Sequence, residues 1–185
     1  MNKYLILFVL AMLSFINYSH AETSNHPLVY IDKGACPFEC CVYGTWTVTK
    51  DTQLYARPEK KSPIIGKGNR GAIVTAITGE VHTKAGKFYV KKKFETYKPG
   101  DIIWVYTYTG EGNYKVWKNG KFIDLNLGFS PYGGSNGSRC EVDKDCDGEL
   151  EKKLEFTWWI KIKTSDGTIG WTFEPSHFAG KDACG

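Results

Sequence analysis

The chain of 185 residues has little excess charge of either sign: 24 Lys and Arg stand against 20 Asp and Glu, a formal net charge of +4. That balance excludes a polybasic nucleic-acid binder on electrostatic grounds. After its first 21 residues it lacks any apolar run approaching the roughly 20 residues of a spanning helix, so membrane insertion is not expected. Long helix-forming stretches are also scarce; only Gly148 to Glu155 (GELEKKLE) has helical composition, enough for about two turns. Paired Cys-x-x-Cys is missing, and His82 and His177 lie far in sequence from any cysteine pair, which disfavours a zinc site.

What is abundant points elsewhere. Aromatic residues reach 15%, with 6 Trp, 11 Tyr and 10 Phe, and 20 Gly punctuate the chain, so a folded all-β protein is expected rather than disorder. Residues 1–21 carry Lys3, an apolar stretch from Tyr4 to Ile16 and the small-x-small end Ser19-His20-Ala21. They read as a secretory signal peptide cleaved after Ala21. Six cysteines follow: Cys36, Cys40, Cys41, Cys140, Cys146 and Cys184. An even number in an exported chain is read as disulfides, and adjacent Cys40 and Cys41 are expected to take different partners, although spacing alone leaves the pairing open.

Period-two runs of β-branched and aromatic residues predict strands at Thr45–Thr49, Ala72–Ile77, Phe88–Lys92, Ile102–Thr109, Tyr114–Lys118 and Phe156–Lys163. Asn119-Gly120 and Asp166-Gly167 predict tight hairpins, whose central residues take positive φ. Alternation within the strands then sorts side chains. Phe156, Trp158, Ile160 and Ile162 share one face, leaving Trp159 outward beside Lys161; Tyr114 and Val116 point inward and Trp117 outward beside Lys115. Trp104, Tyr106 and Tyr108 share a face with Ile102 and are read as core or inter-domain packing.

These residues carry a resemblance. Leu54 to Gly79, through Leu54, Arg57, Ser62, Ile65, Gly66, Gly71, Ile73 and Val74, resembles the opening of a bacterial SH3-like domain, with Pro58 and Pro63 displaced from the usual spacing. Trp159-Ile160-Lys161-Ile162 and Asp166 to Trp171 resemble its closing half, and Tyr97 to Lys121 looks like a second copy of its central hairpins. The resemblance implies two small SH3-like barrels, stabilised by disulfides. They are either tandem, at 42–96 and 97–180, or nested, with the strands at Trp159 and Trp171 completing the barrel opened at Leu54. A Cys-containing segment (22–41) would precede them and a short tail (181–185) follow. The family further implies a non-catalytic binding module, periplasmic or extracellular, holding a cell-wall component or a peptide through Tyr55, Trp117 and Trp159 with Lys115 and Lys161. A secreted protein that covers or inhibits a protein partner is the alternative.

Three motifs remain. Asp143, Asp145, Asp147 and Gly148 match the start of a calcium loop, but the twelfth position is Leu154 rather than Glu, so a solvated acidic loop bounded by Cys140 and Cys146 is preferred over calcium. Gly133-Gly134-Ser135-Asn136-Gly137 spells a nucleophile elbow without the strand before it or the helix after it. Carboxylates such as Glu80, Glu95, Glu111, Asp124 and Glu149 have no fixed separation that would make a glycan hydrolase, so no enzyme is expected.

Overall fold

A computed structural model describes residues 25–38, 40–127 and 148–184. The acidic loop with Asp143, Asp145 and Asp147, the cysteines Cys140 and Cys146, the Gly-Ser-Gly turn and the cleavage position after Ala21 lie outside the described residues. Thirteen strands are described: β1 (Val29–Lys33), β2 (Gly44–Val48), β3 (Thr52–Tyr55), β4 (Ile64–Gly68), β5 (Ile73–Lys84), β6 (Gly86–Val90), β7 (Ile102–Gly110), β8 (Asn113–Lys118), β9 (Lys121–Asn126), β10 (Gly148–Leu150), β11 (Phe156–Lys163), β12 (Ile169–Thr172) and β13 (Phe178–Ala179). The fold is all-β, and among the described residues no helix is long and apolar enough to cross a membrane.

Two sheets divide these strands. The larger is curled and runs β13-β2-β5-β11-β12-β3-β4, with β1 also paired to β5; the smaller runs β10-β6-β7-β8-β9. The sheets do not divide at 96/97. β6 already belongs to the smaller sheet, while β11, β12 and β13 return to the larger one, against β5, β3 and β2. The reason is β5. Its twelve residues pair with β2 through Ile73–Ala76 and with β1 through Glu80–Lys84 on one side, and with β11 on the other, so a late strand is needed to satisfy its backbone. Alternation ends for sequence reasoning at Ile77 because Thr78 to Lys84 is polar, yet the strand continues, with Val81 and Thr83 turned inward and Glu80 and His82 on the other face.

Each sheet has its own core. Trp46, Val48, Leu54, Val74, Ile160 and Ile162 centre the first; Phe88, Ile103, Val105, Tyr114 and Val116 centre the second, all within 2% of fully buried. Gly79 makes the first core's aromatic packing feasible. A Cβ there would come within 2.3 Å of the Tyr43 hydroxyl and 2.5 Å of Trp158 Nε1, two groups that hydrogen-bond each other at 3.3 Å.

Several local expectations need correction. Gly148 to Glu155 does not form a helix: its first three residues are β10, paired with β6, and Leu150 is buried against the second core. Two helical turns in isolation are too short to nucleate, so ladder bonds and one buried leucine decide the outcome. Asn119 and Gly120 do form the tight turn between β8 and β9, with φ of 50° and 79°. In Asp166-Gly167 only the glycine takes positive φ, and the Asp166 carboxylate instead accepts hydrogen bonds from the Thr164 hydroxyl and the Thr168 N–H.

β1, absent from the strands expected on sequence, joins the sheets. It hydrogen-bonds to β5, while Tyr30 packs on Tyr106 and Phe122 of the smaller sheet and His26 stacks on Trp104 at 3.5 Å. Tyr106 is fully buried here and donates to the Pro27 carbonyl at 2.6 Å. Burial pushes its phenol from 10.0 up to about 12. Above 10.0 the unfolded chain loses a proton that the folded one keeps until about 12, so stability falls as pH rises through that window. Tyr106→Phe is expected to flatten this alkaline limb in thermal melts; an unchanged limb would assign it to another group.

The disulfides close the fold. Cys36 bonds Cys41, and Cys40 bonds Cys184, so the adjacent cysteines do take different partners. The second bond ties the C-terminal end to the N-terminal segment, beside backbone bonds from Val42 N to Lys181 O and from Ala183 N to Cys40 O. Disulfides of this kind belong to an oxidising compartment outside the cytoplasm.

Candidate functional site

The outer face of the larger sheet gathers aromatic side chains by strand register. β11 and β12 pair Lys161 with Trp171, and β12 and β3 pair Trp171 with Tyr55. Phe173, two residues beyond Trp171, falls on the same face opposite Trp159. The ring centroids lie 5.7 Å apart for Tyr55 and Trp159, 5.0 Å for Trp159 and Phe173, and 5.7 Å for Tyr55 and Phe173. Two cations complete the patch: Lys60 Nζ sits 4.8 Å from the Phe173 ring centre and Lys161 Nζ 5.7 Å from that of Trp171. At one side His82 Nε2 lies 3.0 Å from Glu80 Oε2, with its ring 6.4 Å from Trp159.

Trp159 does lie on the face opposite Trp158, as alternation requires, but it is only 3% exposed. The expectation that it stands free in solvent is therefore wrong. Tyr55 and Phe173 close over it, which makes it the floor of the patch; Tyr55, Trp171 and Phe173, all half-buried, form the accessible surface. Three of the five residues singled out on sequence, Tyr55, Trp159 and Lys161, thus meet on one face.

Trp117 and Lys115 do not join them. They sit on the smaller sheet, where Trp117 packs edge-on against Phe122 at 4.9 Å and Lys115 pairs with Asp124 at 2.8 Å. Both are half-buried rather than outward and free, because the same face receives Tyr30 of β1 through Phe122. The hydrogen bond to Asp124 holds the Lys115 ammonium above its ordinary value, against the opposing effect of burial.

Trp171, Phe173 and Lys60 were not foreseen as part of a site. The signal was present: Ile169, Trp171 and Phe173 alternate along one face, as Trp159 and Lys161 do on the neighbouring strand.

A second concavity lies between the two sheets. It encloses about 1190 Å³ and has apolar walls from Phe38, Tyr106, Tyr108, Leu150, Leu154 and Phe156. Phe156, although in register with buried Trp158 and Ile160, is 51% exposed there. No match was found among family models, curated proteins or solved structures.

The two surfaces differ chemically. On the outer face, flat rings and neighbouring ammonium groups suit the apolar side chains and carboxylates of an extended ligand. At the side of that face His82 contacts Glu80 at 3.0 Å, with Trp159 beside it and Thr157 of β11 directly opposite it in register.

Proposed function

We propose that the chain is a non-catalytic binding module, exported from the cytoplasm, that holds a peptide, free or as part of the cell wall, against its outer aromatic face. The convergence of Tyr55, Trp159, Trp171 and Phe173 with Lys60 and Lys161 carries this reading. Aromatic residues dominate recognition surfaces because a rigid ring supplies a large contact area with few torsions to freeze. The adjacent ammonium groups select for acidic groups and fix register more than they add affinity. The SH3-like resemblance of the segments that supply these residues supports the same assignment, and the apolar stretch ending at Ala21 supports export.

Co-sedimentation with purified cell wall tests it. Wild type is expected to pellet, and Trp171→Ala and Tyr55→Ala to weaken retention at least tenfold while each stays folded by circular dichroism. Trp171→Ala removes one half-buried ring, and Tyr55→Ala removes one of the two rings that cover Trp159, while the Trp159 indole itself stays in place. Wild type left wholly in the supernatant, or both variants retained like wild type, would reject the assignment of this face to a cell-wall ligand.

A further inference from the structure

The row of paired residues that builds the outer face runs on to an open edge. Lys161 pairs with Trp171, Trp171 with Tyr55 and Tyr55 with Ile64, so the face continues across β11, β12 and β3 onto β4. There the larger sheet stops: β4 is its terminal strand, and no described strand pairs its far side. Ile64 and Ile65 on it are 55% and 47% exposed. Such edges are ordinarily blunted or covered, because their unused backbone groups accept another strand.

The ladder shows which groups are unused. Ala56 N–H donates to the Pro63 carbonyl at 2.9 Å, which makes the next pair, Tyr55 with Ile64, one that exchanges no hydrogen bonds. The N–H and C=O of Ile64 therefore point away from β3. Counting back along β3, Leu54 is a bonded position and Gln53 again is not, so the backbone groups of its partner Lys67 also point outward. The extra residue Ile65 is taken up by the bulge between them. Gln53 accepts a hydrogen bond from the Tyr55 hydroxyl at 3.0 Å on the outer face, and Lys67 stands opposite it there. Ile64 and Lys67 thus offer both their backbones and their side chains at one edge.

Charge selects the occupant. Residues 55–70 hold five basic side chains, Arg57, Lys60, Lys61, Lys67 and Arg70, against Glu59 alone, which accounts for the whole formal excess of +4. Glu59 lies 3.9 Å from Arg57, and Asp51 accepts from the Arg70 backbone; among the described residues no carboxylate pairs with Lys67. Two copies of this edge laid together would oppose like charges, so a second copy is disfavoured and an acidic strand is favoured.

We propose that β4 takes an added strand from the peptide partner: an extended polypeptide segment in which an apolar and an acidic residue, two apart, share the outer face. The apolar one meets Ile64 and Tyr55, and the carboxylate meets Lys67. Backbone bonds to Ile64 and Lys67 supply affinity, and the two side chains supply selection. This rests on the peptide reading of the outer face and adds the partner's conformation and charge.

Amide hydrogen exchange followed by NMR, on the disulfide-intact protein at neutral pH, tests it with acetyl-Thr-Leu-Thr-Glu-Thr-Leu-Thr-Glu-amide and the same peptide carrying Lys for Glu. At saturation the acidic peptide is expected to slow exchange at Ile64 and Lys67 at least tenfold, leaving Leu54 inside the sheet unchanged. It should also bind at least tenfold more tightly than the basic one. Lys67→Glu, at an exposed position, is expected to abolish that preference, and Trp171→Ala to weaken the acidic peptide severalfold while keeping the same two amides protected at saturation. Binding that Trp171→Ala weakens, without slowing at Ile64 and Lys67, overturns strand addition and leaves the outer face as the peptide site. Slowing at both amides with an affinity indifferent to Trp171→Ala upholds the edge and rejects the face. Slowing that grows with protein concentration in the absence of peptide would give the edge to a second copy and overturn the proposal, as would tighter binding of the basic peptide or no binding of either.

Discussion

Replacing Cys40 and Cys184 together by serine is expected to lower the free energy of unfolding by about 5 kcal/mol, measured by guanidinium titration without reductant. The bond joins residues 144 apart, and the cost of leaving so long a loop open in the unfolded chain grows with the logarithm of its length. The companion bond from Cys36 to Cys41 spans a separation of 5, so its double serine variant should lose only about 2 kcal/mol. Comparable losses from the two would show that native contacts, not chain entropy, set their value. Domains commonly have only about 5–15 kcal/mol in total, so the long-range bond alone separates a stable protein from a marginal one.

Trp159→Ala should cost about 3–5 kcal/mol, the range for emptying a buried aromatic site. An outward tryptophan on a solvated strand would lose well under 1 kcal/mol. Here the indole is 3% exposed and touches Tyr55, Phe173 and the His82 ring, so its removal leaves a hole that three neighbours cannot refill. A midpoint within experimental error of wild type would show that the aromatic floor is dispensable. Trp159→Phe, which keeps a ring against both partners, is expected to recover more than half of the loss.

Strand positions were legible in the sequence wherever alternation was strict. Thr45–Thr49, Ile102–Thr109, Tyr114–Lys118 and Phe156–Lys163 coincide closely with β2, β7, β8 and β11, because β-branched and aromatic residues there face a core on every second position. Val29–Lys33 escaped notice because neither of its faces is fully buried: one row leans on the smaller sheet and the other meets solvent. The second half of β5 escaped for a related reason, since Glu80 and His82 satisfy each other on the outer face and Gly79 reads as a turn until Tyr43 and Trp158 are seen to need its missing Cβ.

The candidate site was legible in part. Tyr55, Trp159 and Lys161 lie within one face, but their meeting depends on β3 and β12 pairing across more than a hundred residues, which no local pattern encodes. Alternation says which side of a strand a residue occupies; it does not say whether something else covers that side. Trp117 and Trp159 both failed on this second point. Phe122 and the pair Tyr55 and Phe173 are the covers, and each comes from a different strand or its extension.

The larger sheet begins with strands encoded before residue 85 and is finished only by β11, β12 and β13, the last of which ends at Ala179. A nascent chain emerging from the ribosome therefore cannot complete that sheet until residue 179 has been added. Assembly must wait for these late strands, at the slow pace of distant pairings. Until then β5 exposes an unpaired edge, a polypeptide state compatible with threading through a translocation pore and vulnerable to aggregation if threading stalls.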